Sequence, residues 1–178
     1  MKNTPYSSAH IANYFLWRAW KEEVQITPMK LIKLVYIAYG WNLVINQNKL
    51  FNEKILAWEY GPVIPSIFHE FKRFGKDPIT KGNYATDGDC HSETGELLSV
   101  PIVSGDDNEV LKVLNAEWEI YKFKDGLELS KITHEEGSAW SIAYKQGAGK
   151  NSVLSDDDIK KRSSEAINRL IKKSKAPK

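Results

Sequence analysis

Metal, thiol or acid–base chemistry in this chain would have to come from four histidines, one cysteine and 23 acidic side chains. His10, His69, His91 and His134 lie far apart, with neither the i, i+4 pair nor the Cys-x-x-Cys spacing that suits a metal. Cys90-His91 has the residue types of a thiol nucleophile and its base. Adjacent side chains in an extended segment point apart, however, whereas such a pair must meet within hydrogen-bonding distance, so an incidental cysteine is the simpler reading. The carboxylate runs Glu22-Glu23, Glu135-Glu136 and Asp156–Asp158 sit among polar neighbours, often where a helix start favours negative charge. General acid–base work needs a carboxyl group in an unusual environment, and neither these nor Glu59 has one that the sequence reveals.

Gly147-Ala148-Gly149-Lys150 lacks the spacing of a phosphate-binding loop and reads as a turn. Two basic groups, Lys72/Arg73/Lys76 and Lys160/Lys161/Arg162 with Lys172/Lys173, have the character of phosphate contacts. Acidic residues are interspersed among them and the net charge is only +2, so they read as solvated faces and nucleic acid is not expected as a partner. Thr133-His134 followed by Trp140 sets polar groups near a large ring. Thr133 as a turn cap and His134 on a backbone carbonyl is the structural reading, with a binding surface as the alternative. The expectation is a protein that is not an enzyme and holds no metal or cofactor.

The elements that must position these residues centre on Glu53–Gly75. Ile55–Tyr60 is dense in apolar and aromatic residues and predicts a short buried strand. Gly61-Pro62 breaks it, with Pro62 suited to the first turn of a helix carrying Ile64, Ile67, Phe68, Phe71 and Phe74 on one stripe and stopped by Gly75. Upstream, the spacing predicts a helix over Ser7–Glu22 and another capped by Thr27-Pro28. The second helix has Leu31, Leu34, Val35, Ala38, Trp41 and Ile45 as its stripe, Lys30 and Lys33 on its flanks, and Asn42 on a more polar side. Downstream, Ile79–Asp107 reads as a loop or ragged hairpin, with Leu97–Val103 as an edge strand because it contains Pro101. Asp106 with Glu109 predicts a helix running inward through Val110, Leu114, Trp118 and Tyr121 and ending near Gly126. Ser130 and Ser138 would cap two short helices. Ser155 with Asp158 would start the last one, with Ile159, Ala166, Ile167, Leu170 and Ile171 inside.

The expected fold is therefore mainly α (α+β), a single helical domain over residues 1–171 with a small central β element and a basic tail over 172–178. One cysteine excludes an internal disulfide framework, and no run approaches the roughly twenty apolar residues of a membrane span. A cytoplasmic setting without membrane contact is expected.

Ile26–Tyr36, Trp41, Phe51-Asn52-Glu53 and Ala57–Pro65 resemble successive signatures of the Panacea domain, the SocA-like antitoxin domain also met in phage-associated GepA-type proteins. Leu129-Ser130, Thr133-His134 and Trp140 are similar to its C-terminal signature. Ala139 departs from the proline that members often carry there, and Ile79–Asp107 matches no signature. The resemblance implies an antitoxin that neutralises a cognate toxin by direct protein contact. The alternative it implies is a phage-encoded interaction protein or proteolytic adaptor with a host or toxin target. A cytoplasmic protease and self-association are further partners it admits. The motif or partner-binding candidates are Lys30, Lys33, Tyr36, Trp41, Glu53, Trp58, Tyr60, Gly61, Pro62, Thr133, His134 and Trp140. Glu53 is expected to pair with Lys30 or Lys33, and Trp58 and Tyr60 to share one side of the strand.

Overall fold

The computed structural model describes residues 6–87 and 99–175. Its elements are α1 (Ser8–Lys21), α2 (Pro28–Ile45), β1 (Leu56–Trp58), β2 (Gly61–Val63), α3 (Pro65–Phe71), α4 (Asn108–Tyr121), α5 (Gly126–His134), α6 (Ala139–Tyr144) and α7 (Asp156–Lys175). Short 3-10 turns follow α3 and α6. The architecture is mainly α, and β1 and β2 make a two-stranded antiparallel sheet. Among the described residues, no helix is long and apolar enough to cross a membrane.

Helix α2 is the axle. Thr27 caps it by accepting a bond from the Lys30 N–H, and every residue from Lys30 to Leu43 is buried. The stripe expected from spacing thus becomes a full circumference, because α1, α4, α5 and α7 all pack around this helix. Two expectations fail at its far end. Asn42 is fully buried, donating to the Asn48 carbonyl at 2.9 Å and accepting from Asn46 at 2.7 Å, whereas Ile45 is half exposed. Helix α7 gains its close approach at Gly40, where a Cβ would meet Ser163 Oγ at 2.1 Å and Ile159 Cγ2 at 3.2 Å.

Several boundaries differ from the spacing. Gly61-Pro62 lies in β2, and α3 begins at Pro65. Ala57, opposite Pro62, sends its N–H to the Ser152 carbonyl (2.9 Å) and its carbonyl to the Asn151 N–H (2.8 Å). The proline therefore stands where no ladder donor is wanted. Residues 151–154 run antiparallel along the other side of β1, with the Leu154 N–H on the Ile55 carbonyl at 2.9 Å.

The cap of α4 is Asp107, one residue beyond the expected Asp106. Gly126 opens α5 instead of closing α4, since Asp125 and Glu128 form a capping box. Ser130 is consequently inside α5 and not its cap. Residues 99–103 form no strand, because the Pro101 carbonyl is taken by buried Asn13 at 2.9 Å. Leu97, Leu98, Gly88, Cys90, His91 and Gly95 lie outside the described residues. Ser138 caps α6 as expected, and α7 extends to Lys175 with Ile159 buried, although Ile171 is 46% exposed.

One core group escaped the sequence reading. Glu117 faces inward from α4, fully buried, and neither carboxyl oxygen has a partner among the described residues. Burial pushes its pKa well above the usual carboxylate range. Between the ordinary value and the raised one, the folded state holds a proton that the unfolded state has lost, so stability falls as pH rises through that window. Glu117→Gln is expected to be the more stable form, by a margin that widens as pH rises above the ordinary carboxylate range in denaturant titrations; a constant margin would contradict the protonated state. Gly40→Val is expected to cost about 1–3 kcal/mol by overpacking the α2–α7 contact, read as a fall in melting temperature.

Candidate functional site

A tight hairpin joins β1 to β2 through Glu59 and Tyr60, and such a tip leaves carbonyl oxygens that its own strands do not satisfy. Side chains from three helices supply the donors. From α6, Trp140 Nε1 donates to the Trp58 carbonyl at 2.7 Å. From α5, Ser130 Oγ donates to the Tyr60 carbonyl at 3.2 Å, and His134 Nε2 faces the Glu59 carbonyl at 3.4 Å. From α2, Lys33 Nζ donates to the Pro62 carbonyl at 3.0 Å. His134 Nδ1 lies 2.6 Å from the Ser130 carbonyl, which fulfils the structural reading of this histidine. The imidazole rests on Trp140, with ring centroids 4.0 Å apart, and Trp140 stacks on Tyr144.

Gly61 is indispensable to this arrangement on two counts. Its φ of +103° strains any residue with a side chain, and an added Cβ would stand 2.6 Å from Lys33 Nζ and 2.8 Å from His134 Cε1. The clamp closes on the backbone itself. Outside it, the Glu59 side chain is exposed and Tyr60 is 67% exposed. The tip is thus fixed from within and displayed outward.

The structure gathers Lys33, Trp58, Tyr60, Gly61, Pro62, Thr133, His134 and Trp140 at this corner. Thr133 is buried, donating to the Ser130 carbonyl at 2.9 Å, and does not cap a following turn. Trp58 packs edge-on against Phe68 with centroids 4.9 Å apart, while Tyr60 belongs to the turn, so the two do not share a strand face. The Trp58 Nε1 has no partner among the described residues.

The remaining candidates lie elsewhere. Lys30 is buried at the start of α2, donating to the carbonyls of Gln25 (3.3 Å) and Lys122. Burial lowers its pKa, with Asp125 and Glu128 opposing the shift. Trp41 is in the core, edge-on to Tyr121 at 6.0 Å. Tyr36 is 8% exposed. Glu53 pairs with neither lysine. Its Oε1 accepts the Ser8 N–H at 2.7 Å, supplying the helix-start acceptor that Ser7 does not. Ser130 and residues 151–154 belong to the corner too, though periodicity assigns them no such role. Among the described residues, no three His, Cys, Asp or Glu side chains converge as ion ligands.

Lys33 is 2% exposed, and burial brings its pKa down from 10.5 to about 7. Between those values the unfolded chain carries a proton that the folded chain has released. Stability contributed through this group therefore rises with pH from about 7 to 10.5 and is flat below. Lys33→Met is expected to abolish a slope of up to about 1.4 kcal/mol per pH unit in denaturant titrations over that range. Equal slopes in the two proteins would place the amine in water.

Comparison with known proteins gives a consistent picture. The family model described as "Antitoxin SocA-like, Panacea domain" matches residues 31–141. That span runs from α2 into α6 and encloses Lys33, the hairpin, Ser130, His134 and Trp140. Antitoxin SocA of Caulobacter vibrioides (strain NA1000 / CB15N) is 28% identical over 141 residues, covering 79% of this chain and 71% of that protein. No solved structure matches. Ala139 occupies the first position of α6, a place that would accept proline without losing a backbone bond. On the match over most of its length, the chain belongs to the SocA-like antitoxin family built on the Panacea domain.

Proposed function

We propose that this protein is a cytoplasmic, non-catalytic antitoxin that silences a cognate toxin by direct contact, and that the hairpin tip at Glu59-Tyr60 is part of the contact surface. The observation that carries this reading is the clamp. Trp140, Ser130 and Lys33 hold the carbonyls of Trp58, Tyr60 and Pro62, with His134 packed on Trp140 beside Glu59, while the Tyr60 side chain stands in solvent. A preordered tip loses little conformational entropy on binding, and an exposed tyrosine on rigid backbone is a frequent interface anchor. Family membership supports a toxin as the partner, and the clamp supports the hairpin tip as part of the contact.

Residues invested in the corner are on this view architecture for the display. Lys33, Gly61 and His134 would act on the toxin only through the hairpin they hold. Co-expression with the product of the adjacent gene is expected to rescue growth and to yield a stable complex. Tyr60→Ala is expected to weaken that complex by roughly 2 kcal/mol or more without lowering the melting temperature. Failure of both rescue and complex formation would sink the antitoxin reading. A complex of full affinity with Tyr60→Ala and with Glu59→Lys would move the contact face elsewhere. Recovery of protease subunits with no toxic neighbour would favour the adaptor alternative.

A further inference from the structure

A concavity lies between α2, α4, α5 and α7, reaching the hairpin corner only at buried Thr133. It encloses about 160 Å³, with Ile37, Trp41, Tyr121, Ile132 and Leu170 among its walls. That capacity is one apolar side chain, since a cavity of about 150 Å³ holds a benzene-sized group. Its lip is cationic, with Arg162, Arg169 and Lys173 all contributed by α7.

The ion pairs at the lip point to a ligand carboxylate. Glu135, on extended backbone just past α5, reaches across to α7, where its Oε2 is shared by Arg162 and by Arg169 Nη1 at 3.3 Å. Glu165, on α7 itself, pairs with the same two arginines, at 3.1 Å from Arg162 Nη1 and 4.0 Å from Arg169 Nη2. The guanidiniums thus carry one carboxylate from their own helix and a second that the chain lends from a half-exposed residue beyond α5. Tyr36, itself 8% exposed, is among the residues that line the same cavity. The cavity therefore offers two arginines at its lip and a largely apolar wall.

We infer that this cleft binds the C-terminal end of a polypeptide, with an apolar last side chain in the cavity and the α-carboxylate between Arg162 and Arg169 in place of Glu135. A chain end suits the space better than an internal acidic segment. One terminal residue carries both the apolar group and the carboxylate, whereas an internal segment needs two neighbouring side chains in a cavity sized for one. Capture of a terminal carboxylate by oriented donors is an established mode of peptide recognition. Glu135 acts as an intramolecular competitor, so the empty cleft keeps its arginines paired and the ligand must displace a carboxylate to enter. The inference is independent of the toxin contact at the hairpin.

Fluorescence anisotropy on the full chain tests it, using labelled hexapeptides that end in Leu or Phe with either a free carboxylate or a carboxamide. The free acids are expected to bind at least about tenfold tighter than the amides, with affinity falling as salt is raised. Glu135→Gln is expected to tighten the free acids about fivefold by removing the competitor, and Arg169→Met to weaken them about tenfold. Both positions are at the surface, and thermal unfolding of each variant checks that the fold is intact. Equal binding of acid and amide, or no response to Arg169→Met, would overturn the proposal. An amidated peptide with an internal aspartate that binds as well as the free acids would also overturn it, by assigning the cleft to acidic side chains. Failure of every peptide to bind, to the parent chain and to Glu135→Gln alike, would overturn it as well and leave Glu135 a fixed strut.

Discussion

A hairpin tip has carbonyl oxygens that its own ladder leaves over, and burying them without donors would cost more than the short strands return. In this protein the donors are side chains, and they come from regions of the chain a hundred residues apart. Lys33 from α2, Ser130 and His134 from α5, and Trp140 from α6 converge on the backbone between Trp58 and Pro62. The sheet has only two formal strands of three residues each, too few to stand alone in water. Its geometry is held by helices, and those helices are in turn positioned around α2. The same bonds that complete the fold fix the backbone of a tip whose Tyr60 side chain stands in solvent.

Helix α2 explains how the clamp tolerates a lysine. A helix enclosed on all sides must place its polar side chains against backbone groups, and Lys30, Lys33 and Asn42 each do so. Lys33 approaches neutrality through burial, so its amine serves as a neutral or singly charged donor to one carbonyl, with no acid partnered to it among the described residues. Glu117, on the α4 side of the same core, likewise has no partner among the described residues and is driven toward its protonated form. The core thus carries an acid and an amine that are each pushed toward the uncharged state separately.

Much of this plan was legible from spacing and caps. Thr27-Pro28 marked the start of α2, and the mainly helical class with a small β element followed from periodicity. The motif residues that surround the hairpin were also visible, but their mutual contacts were not. A lysine on a helix is ordinarily solvated, and nothing local distinguishes Lys33, whose acceptor is 29 positions away, from Lys131 on the exposed face of α5. Gly126 read as a stop because glycine favours helix ends. Its actual use is contact, for a Cβ there would sit 3.0 Å from Met29. Pro62 read as a helix start because its φ suits one, yet the same φ suits an extended residue whose partner asks for no hydrogen bond. Where Lys33 and Pro62 were misjudged, a tertiary partner outvoted the local preference; at Gly126 the local capping box of Asp125 and Glu128 decided as well.

Residues 151–154, laid against β1, draw a further consequence from the order in which a ribosome makes the chain. The hairpin emerges early, but its outer ladder waits for Asn151 and Ser152, and its indole donor waits for Trp140. Until Asn151 and Ser152 have been synthesised, the corner has open carbonyls and an unanchored tip. Products that stop before those residues would lack the finished surface, so a ligand that reads this corner would distinguish them from longer chains without any separate proofreading device.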